Sequence, residues 1–409
     1  MQYQFDEIID RRNTNSDNAD NWRKSMFAAD PARTFPWKDE DMIRMWVADM
    51  DFAVAPEILQ AVQARLDQKI LGYGAVTDPD YYPTVRRWCE RRYGWSFPEE
   101  QLVFSPGVVP ALLQLVEDLV KPDGGKVLTM MPCYGSFRRA CQYNGVELVG
   151  SPLNREDGTD RIDFDDLAQK AADPAMRMLI LCNPHNPTGR VWTADELHQV
   201  AAIAERHHLW VVSDEIHCDL LRSHLRHTPM GAVMPGYDRL IVCMSASKSF
   251  NLAGLMHSHI IIRDPAERKR FCARSKTCGM VDPLSVAAHK AAYASGDAWL
   301  DALRAYLDGN LALVEQFARE HLPKAHFRIP EATYFAWLDL RAALPEVENL
   351  PLFFAEQAGV LVEAGDAFFV ASAEGFVRLN LAIPRAVLQT ALARMAKAIE
   401  AEKAGERAK

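Results

Sequence analysis

Lys248 lies in VCMSASKSFNLAGL, residues 242–255, with small hydroxyls at Ser245, Ser247 and Ser249 around it and no carboxylate beside it. A lysine in a partly desolvated site has a lowered pKa and becomes an amine nucleophile able to form an imine with an aldehyde. In WVVSDEIH, residues 210–217, an apolar run ends on Asp214. A carboxylate at such a strand end is costly to bury unless a cation meets it. In LILCNPHNPTGRVW, residues 179–192, the Asn-Pro, Pro-Thr and Thr-Gly steps force a sharp turn and leave Asn186 to offer a side-chain amide. Each feature alone has an ordinary reading. Most lysines are solvated, aspartates fill helix N-caps, and a lone NPTG is as often a surface turn as a site.

One cofactor asks for all three together. Pyridoxal phosphate needs a lysine for the imine, a carboxylate for the pyridinium nitrogen and a donor for the ring oxygen, besides an aromatic plate and a phosphate cradle. Lys248, Asp214 and Asn186 fill the first three places. Tyr134, in PCYGSF, can stack on the ring face. The segment FSPGVVPALLQLV, residues 104–116, has Gly107 at the opening of an apolar-periodic helix. Backbone amides of Gly107, Val108 and Val109 would meet a phosphate at the positive end of that helix. Ser245 and Ser247 can add hydroxyl donors. A substrate α-carboxylate calls for a forked cation, and Arg378 in FVRLNLA is the candidate. Ala48, in MWVADMDF, is placed with Asn186 among the substrate contacts.

These residues need a scaffold that gathers them. From about residue 100 to 285, apolar runs at Lys126–Met131, Met178–Cys182, Trp210–Ser213, Leu240–Met244 and His259–Ile262 alternate with helical patterns. One helix opens at Thr193, where Thr193 and Glu196 have capping-box spacing. Buried strands separated by helices predict an open α/β sheet covered on both faces, with ligands at the strands' carboxyl ends. The flanks differ. Residues 1–50 are polar until MWVADMDF, and beyond 285 long helices (298–320 and 386–402) surround short strands near 333–338 and 377–381. We divide the chain into a large domain, 50–285, and a small domain built from 1–49 and 286–409.

Composition narrows the classes. About half of the 409 residues are hydrophobic, and the net charge of -9 argues against nucleic acid or an anionic membrane as partner. No apolar run reaches membrane-spanning length and the N-terminus is charged, so a cytoplasmic location is expected. The eight cysteines form no CxxC pair, which suits free thiols in a reducing compartment better than disulfides or zinc.

The order SPG…PALL, P-x-Y, NPHNPTG, SDEIH, SxSK, VRLNLA resembles the class I/II aminotransferases of fold type I, over nearly the whole chain. Within that family FDEIIDRRNTNSDN, WVADMDFAVAPEI, GYG and SDEIHCD resemble the cystathionine β-lyase or C–S lyase branch. The resemblance implies an α/β fold with a mostly parallel seven-stranded sheet in the large domain and a smaller α+β domain. It also implies a two-fold dimer with shared sites, in which Tyr73 of the GYG segment reaches the partner's phosphate. Two departures from the ordinary aminotransferase pattern, both found in that branch, shift the expectation from transamination towards elimination. His217 stands where Asp-x-x-Tyr has its tyrosine, and Met256 stands eight residues after the lysine, where many aminotransferases have a phosphate-pairing arginine.

The expected reaction is α,β-elimination from L-cystathionine or a related β-thio L-amino acid, giving pyruvate, ammonia and a thiol. Lys248 would take the α proton, Asp214 would keep the ring nitrogen protonated, and Lys248 or Tyr73 would protonate the departing sulfur. The alternatives are an aminotransferase using the same groups, or a regulatory protein that keeps the fold. No helix-turn-helix extension or basic patch supports DNA binding in the latter case.

Overall fold

A computed structural model of the chain describes residues 3–28, 34–156, 158–278, 281–365, 369–370 and 373–407. Its strands are β1 (Ile43–Met45), β2 (Leu102–Ser105), β3 (Lys126–Met131), β4 (Cys133–Tyr134), β5 (Glu147–Glu156), β6 (Thr159–Ile162) and β7 (Met176–Cys182). They continue as β8 (Trp210–Asp214), β9 (Leu240–Met244), β10 (Ser258–Ile262), β11 (Phe335–Asp339), β12 (Val360–Ala364), β13 (Phe369–Val370) and β14 (Phe376–Asn380). The main sheet has the order β2-β10-β9-β8-β7-β3-β5-β6. Its centre, β5 to β9, is parallel, and β10 runs antiparallel to both β9 and β2. The eighth strand, β6, folds back on β5 as an antiparallel hairpin and extends the expected seven. Sequence gave no sign of it, because its TDRI segment lacks an apolar run.

The near-continuous apolar strands follow from burial on both faces. Leu179, Leu181, Val211, Val242 and Met244 pack into one hydrophobic cluster, while Met178, Ile180, Val212, Ile241 and Cys243 pack into another. Successive side chains alternate between the two faces. The second cluster is closed by the helices Val108–Leu119 and Gly135–Asn144, the first by helix Ala194–Arg206 among others. The capping box at Thr193 and Glu196 is present.

A second sheet has the order β1-β12-β14-β11. It joins an early strand, β1, in parallel to β12 more than three hundred residues later. Side chains from helices Asp297–His321, Leu350–Gln357 and Arg385–Arg407 cover it. Trp22, Phe35 and Trp46 from the polar N-terminal stretch form their own apolar cluster with Met42 and Leu361. Among the described residues no helix is long and apolar enough to cross a membrane.

Candidate active site

The parallel register aligns Cys182, Asp214 and Cys243 across the carboxyl ends of β7, β8 and β9. The loops leaving those ends carry Asn186, His217 and Lys248. A cavity of about 240 Å³ lies there, lined by Ala48, Gly107, Val108, Val109, Tyr134, Asn186, Asp214, His217, Ser247, Lys248 and Met256, among others. Ala48, Tyr134 and Lys248 also line an outer cleft of about 1460 Å³, which Arg378 shares. Of the predicted site residues, Tyr73 and Ser245 are not on these walls. Tyr73 is 94% exposed. Ser245 is buried behind the cavity, where its hydroxyl donates to the His257 carbonyl at 2.7 Å and accepts from the Ser247 amide at 3.1 Å. That bond caps the short helix holding Lys248. Of the two predicted serines, Ser247 is the one on the wall.

Lys248 Nζ donates to the Ala48 carbonyl at 2.7 Å. Burial pulls the amine down to about 8, although Asp49 and Asp214 favour its charged form. The same carbonyl accepts from Tyr334 Oη at 3.0 Å. Asp214, at the tip of β8, is buried, and its Oδ1 accepts from the Ile216 amide at 3.2 Å. Burial pushes this carboxyl up to about 7, against the opposing pull of Lys248 and that amide. It is an acid stranded in the interior, and it fits a cationic ring N–H that would restore its charge. His217 is pressed down to about 3 by burial and by the nearby cations Lys248 and Arg378, so it is neutral. Its Nδ1 is buried with no hydrogen-bond partner among the described residues.

The helix Val108–Leu119 opens on the cavity with Gly107 as its N-cap and no side-chain cap. Its first amides, at Gly107, Val108 and Val109, are thus left for an anion, where the helix dipole assists. Orphan acid, buried amine and uncapped helix end suit pyridoxal phosphate, for which Asp214 would meet the ring nitrogen, Lys248 the aldehyde and residues 107–109 the phosphate. Met256 gives that cradle no side-chain cation. Among the described residues, no group of three or more His, Cys, Asp or Glu side chains is placed to hold a metal ion.

Arg378, in the middle of β14, is buried. It donates to the Asn186 Oδ1 at 3.3 Å and to the Trp46 carbonyl at 3.0 Å, and its guanidinium lies 4.1 Å from the Phe335 ring centroid. Engaging the amide oxygen leaves the Asn186 amide hydrogens as the donors that this side chain can present. Several supports had no flag in the sequence. Asn380, two residues along the same strand, donates to the Val47 and Asp49 carbonyls at 2.6 Å each. Asn251 donates to the Met50 and Phe52 carbonyls. With Tyr334, these side chains clamp the backbone of WVADMDF against the cavity. The period-two spacing of Arg378 and Asn380 was a signal that could have found one of them. Glu363 had none, because its place opposite Arg378 comes from the pairing of β12 with β14.

The family described as "Aminotransferase class I and II" matches residues 40–395. The chain is 38% identical to cystathionine beta-lyase PatB of Bacillus subtilis, over 88% of this chain and 93% of that protein. It is 32% identical to protein MalY of Escherichia coli, over 98% and 99%. Among solved structures it is similar to the PLP-bound C-S lyase from Staphylococcus hominis, with a TM-score of 0.91 and 42% identity, covering 98% of each chain. Cystalysin from Treponema denticola, which contains a pyridoxal 5'-phosphate cofactor, has a TM-score of 0.91 and 32% identity over 98% and 99%.

Proposed function

The chain belongs to the class I and II aminotransferase family, and from its similarity to cystathionine β-lyase and C–S lyases we infer a pyridoxal-phosphate-dependent carbon–sulfur lyase acting on L-cystathionine or related β-thio L-amino acids. The observation that carries this reading is Lys248 and Asp214 facing one cavity in a chain similar end to end to C–S lyases.

Pyridoxal phosphate, when bound, supplies an aldehyde for amines and a protonated ring that draws negative charge away from the substrate α carbon. The protein does the rest. Asp214 would keep the ring nitrogen protonated by pairing with its N–H in a buried place. Arg378 receives the substrate carboxylate in its fork and so fixes which α bond stands over the ring face. Lys248 Nζ, lowered to about 8, keeps a fraction of its population as free amine at neutral pH, and that free amine is the base. It takes the α proton and then carries that proton inside the cavity where the thiolate departs. Asn186 and His217 would hold the ring oxygen, and Tyr134 would cover one ring face, since all three line the cavity. The net reaction consumes one water and releases thiol, pyruvate and ammonia.

The reading extends to assembly. Residues 69–78 have no regular secondary structure, and Ile70, Leu71 and Tyr73 on that stretch are 71%, 64% and 94% exposed. We assign this apolar arm to a second copy of the chain, with Tyr73 completing the partner's phosphate site in a homodimer. A cytoplasmic location suits the cysteines. Seven of them are free thiols, and six of those are buried.

Incubation with L-cystathionine should give pyruvate and free thiol in equal amounts with no keto acid added. Product that forms only when a keto acid is added would overturn the lyase and favour transamination.

A further inference from the structure

Arg378 already has an anion beside it. On β12, Glu363 is the residue in register with Arg378 on β14. Its Oε2 lies 3.8 Å from Arg378 Nη2, and both side chains line the outer cleft next to Lys248. The Glu363 side chain is only 13% exposed and that of Arg378 1%. A substrate carboxylate arriving at this guanidinium therefore comes into a place where a carboxylate stands already. Two anions cannot both stay charged beside one buried cation without a large repulsive cost.

We propose that Glu363 is the resident counter-ion of Arg378, which a substrate carboxylate displaces with uptake of one proton by Glu363. The proton comes from solvent and ends on the Glu363 carboxyl, so the ligand's charge takes the place of that of Glu363 beside the guanidinium. In the empty site the pair offsets the charge of a buried arginine. In the loaded site the neutral acid remains in contact without opposing the ligand.

The charged groups facing Glu363 are Arg378 from β14 and Arg139 from helix Gly135–Asn144, and both favour its ionised form. Burial outweighs them and pushes the carboxyl up to about 7. A bound carboxylate cancels part of the Arg378 attraction and adds a like charge, so the group moves higher still. The sign follows. Just above pH 7 Glu363 is mostly ionised without ligand and mostly protonated with it, so affinity for carboxylates falls as pH rises through that window, by up to about tenfold per pH unit.

This rests on Arg378 as the carboxylate anchor, and the test separates the two ideas. The probe is 3-(methylthio)propanoate, a β-thio acid without an amine, whose charge is constant from about pH 6 to about pH 9. Calorimetric titration into holoenzyme at pH 7.5, in Hepes and in Tris, reads protons taken up from the different buffer ionisation heats. Wild type should take up roughly half to one proton, with affinity falling several-fold between about pH 7 and about pH 8.5. Glu363→Gln should bind with no such uptake and a flat profile. Equal uptake in Glu363→Gln overturns the proposal, as does binding by wild type without uptake, a measurement that needs no variant to fold. Failure of wild type to bind the probe at any pH strikes at Arg378 itself and removes the basis of the inference with it.

Discussion

Asp214 shows how a site residue can work against the fold that holds it. With nothing cationic bound to it, its carboxyl sits near 7 instead of 3.8. The folded chain then holds a proton between about pH 4 and about pH 7 that the unfolded chain has released. Cofactor-free protein should therefore lose stability as pH rises through that window. Asp214→Asn removes the titration. At pH 8, after cofactor removal, the variant should be more stable than wild type by roughly 1–4 kcal/mol, and at pH 5 the gap should shrink. Its lyase rate should fall by at least about a hundredfold. Denaturant melts of both apo-proteins at the two pH values check this. A gap that is the same at pH 5 and pH 8 rules out the titration as its cause. The cost that burial imposes on an unpaired acid is what makes the residue useful to a ring nitrogen.

At the scale of elements, the loops after β7, β8 and β9 hold the site only because other segments brace them. The turn after Asn186 passes through Gly189 at φ +71, a left-handed conformation that favours glycine. Its carbonyl accepts from the Ala332 amide at 2.9 Å, and the Gly189 amide donates to the His185 carbonyl at 2.7 Å. An added Cβ would stand 2.3 Å from the Pro330 Cβ and 2.9 Å from the Ala332 carbonyl oxygen. Gly189→Ala should thus destabilise the protein by about 2–4 kcal/mol and pull Asn186 out of place. Gly236→Ala, where nothing lies within 4 Å, should cost no more than about 0.5 kcal/mol. Urea midpoints of the two variants decide, and equal midpoints would show that the turn is not braced in this way.

For the whole molecule, the argument turns on Tyr73, the one proposed site residue that lies far out in solvent. If its arm belongs to a second copy, Tyr73→Ala and Lys248→Ala are each defective alone, yet complement each other. Co-expressed, they form hybrids in which one site has its lysine from one chain and its tyrosine from the other. Up to about a quarter of wild-type activity should return, from random pairing of two chain types in a two-fold dimer. Activity no greater than the sum of the separate variants would assign Tyr73 to its own chain or to no site. Light scattering on the same samples gives the mass.

What the amino-acid sequence determined is what short-range physics writes into adjacent residues. Buried strands appear as apolar runs at 126–131, 178–182, 210–213 and 240–244, and the structure places strands over all four. The turn and cap chemistry at their carboxyl ends marks Asn186, Asp214 and Lys248, which the fold gathers around one cavity. The tertiary structure alone decided which distant segments meet. It pairs β1 with β12, adds β6 to the sheet edge and clamps the WVADMDF backbone with Tyr334 and Asn380. It also turns Ser245 away from the cavity and sets Glu363 against Arg378. Those contacts depend on strand register and on the packing of one sheet beside another. Such pairings are fixed by the collective burial of two cores, and no local run of residues encodes them.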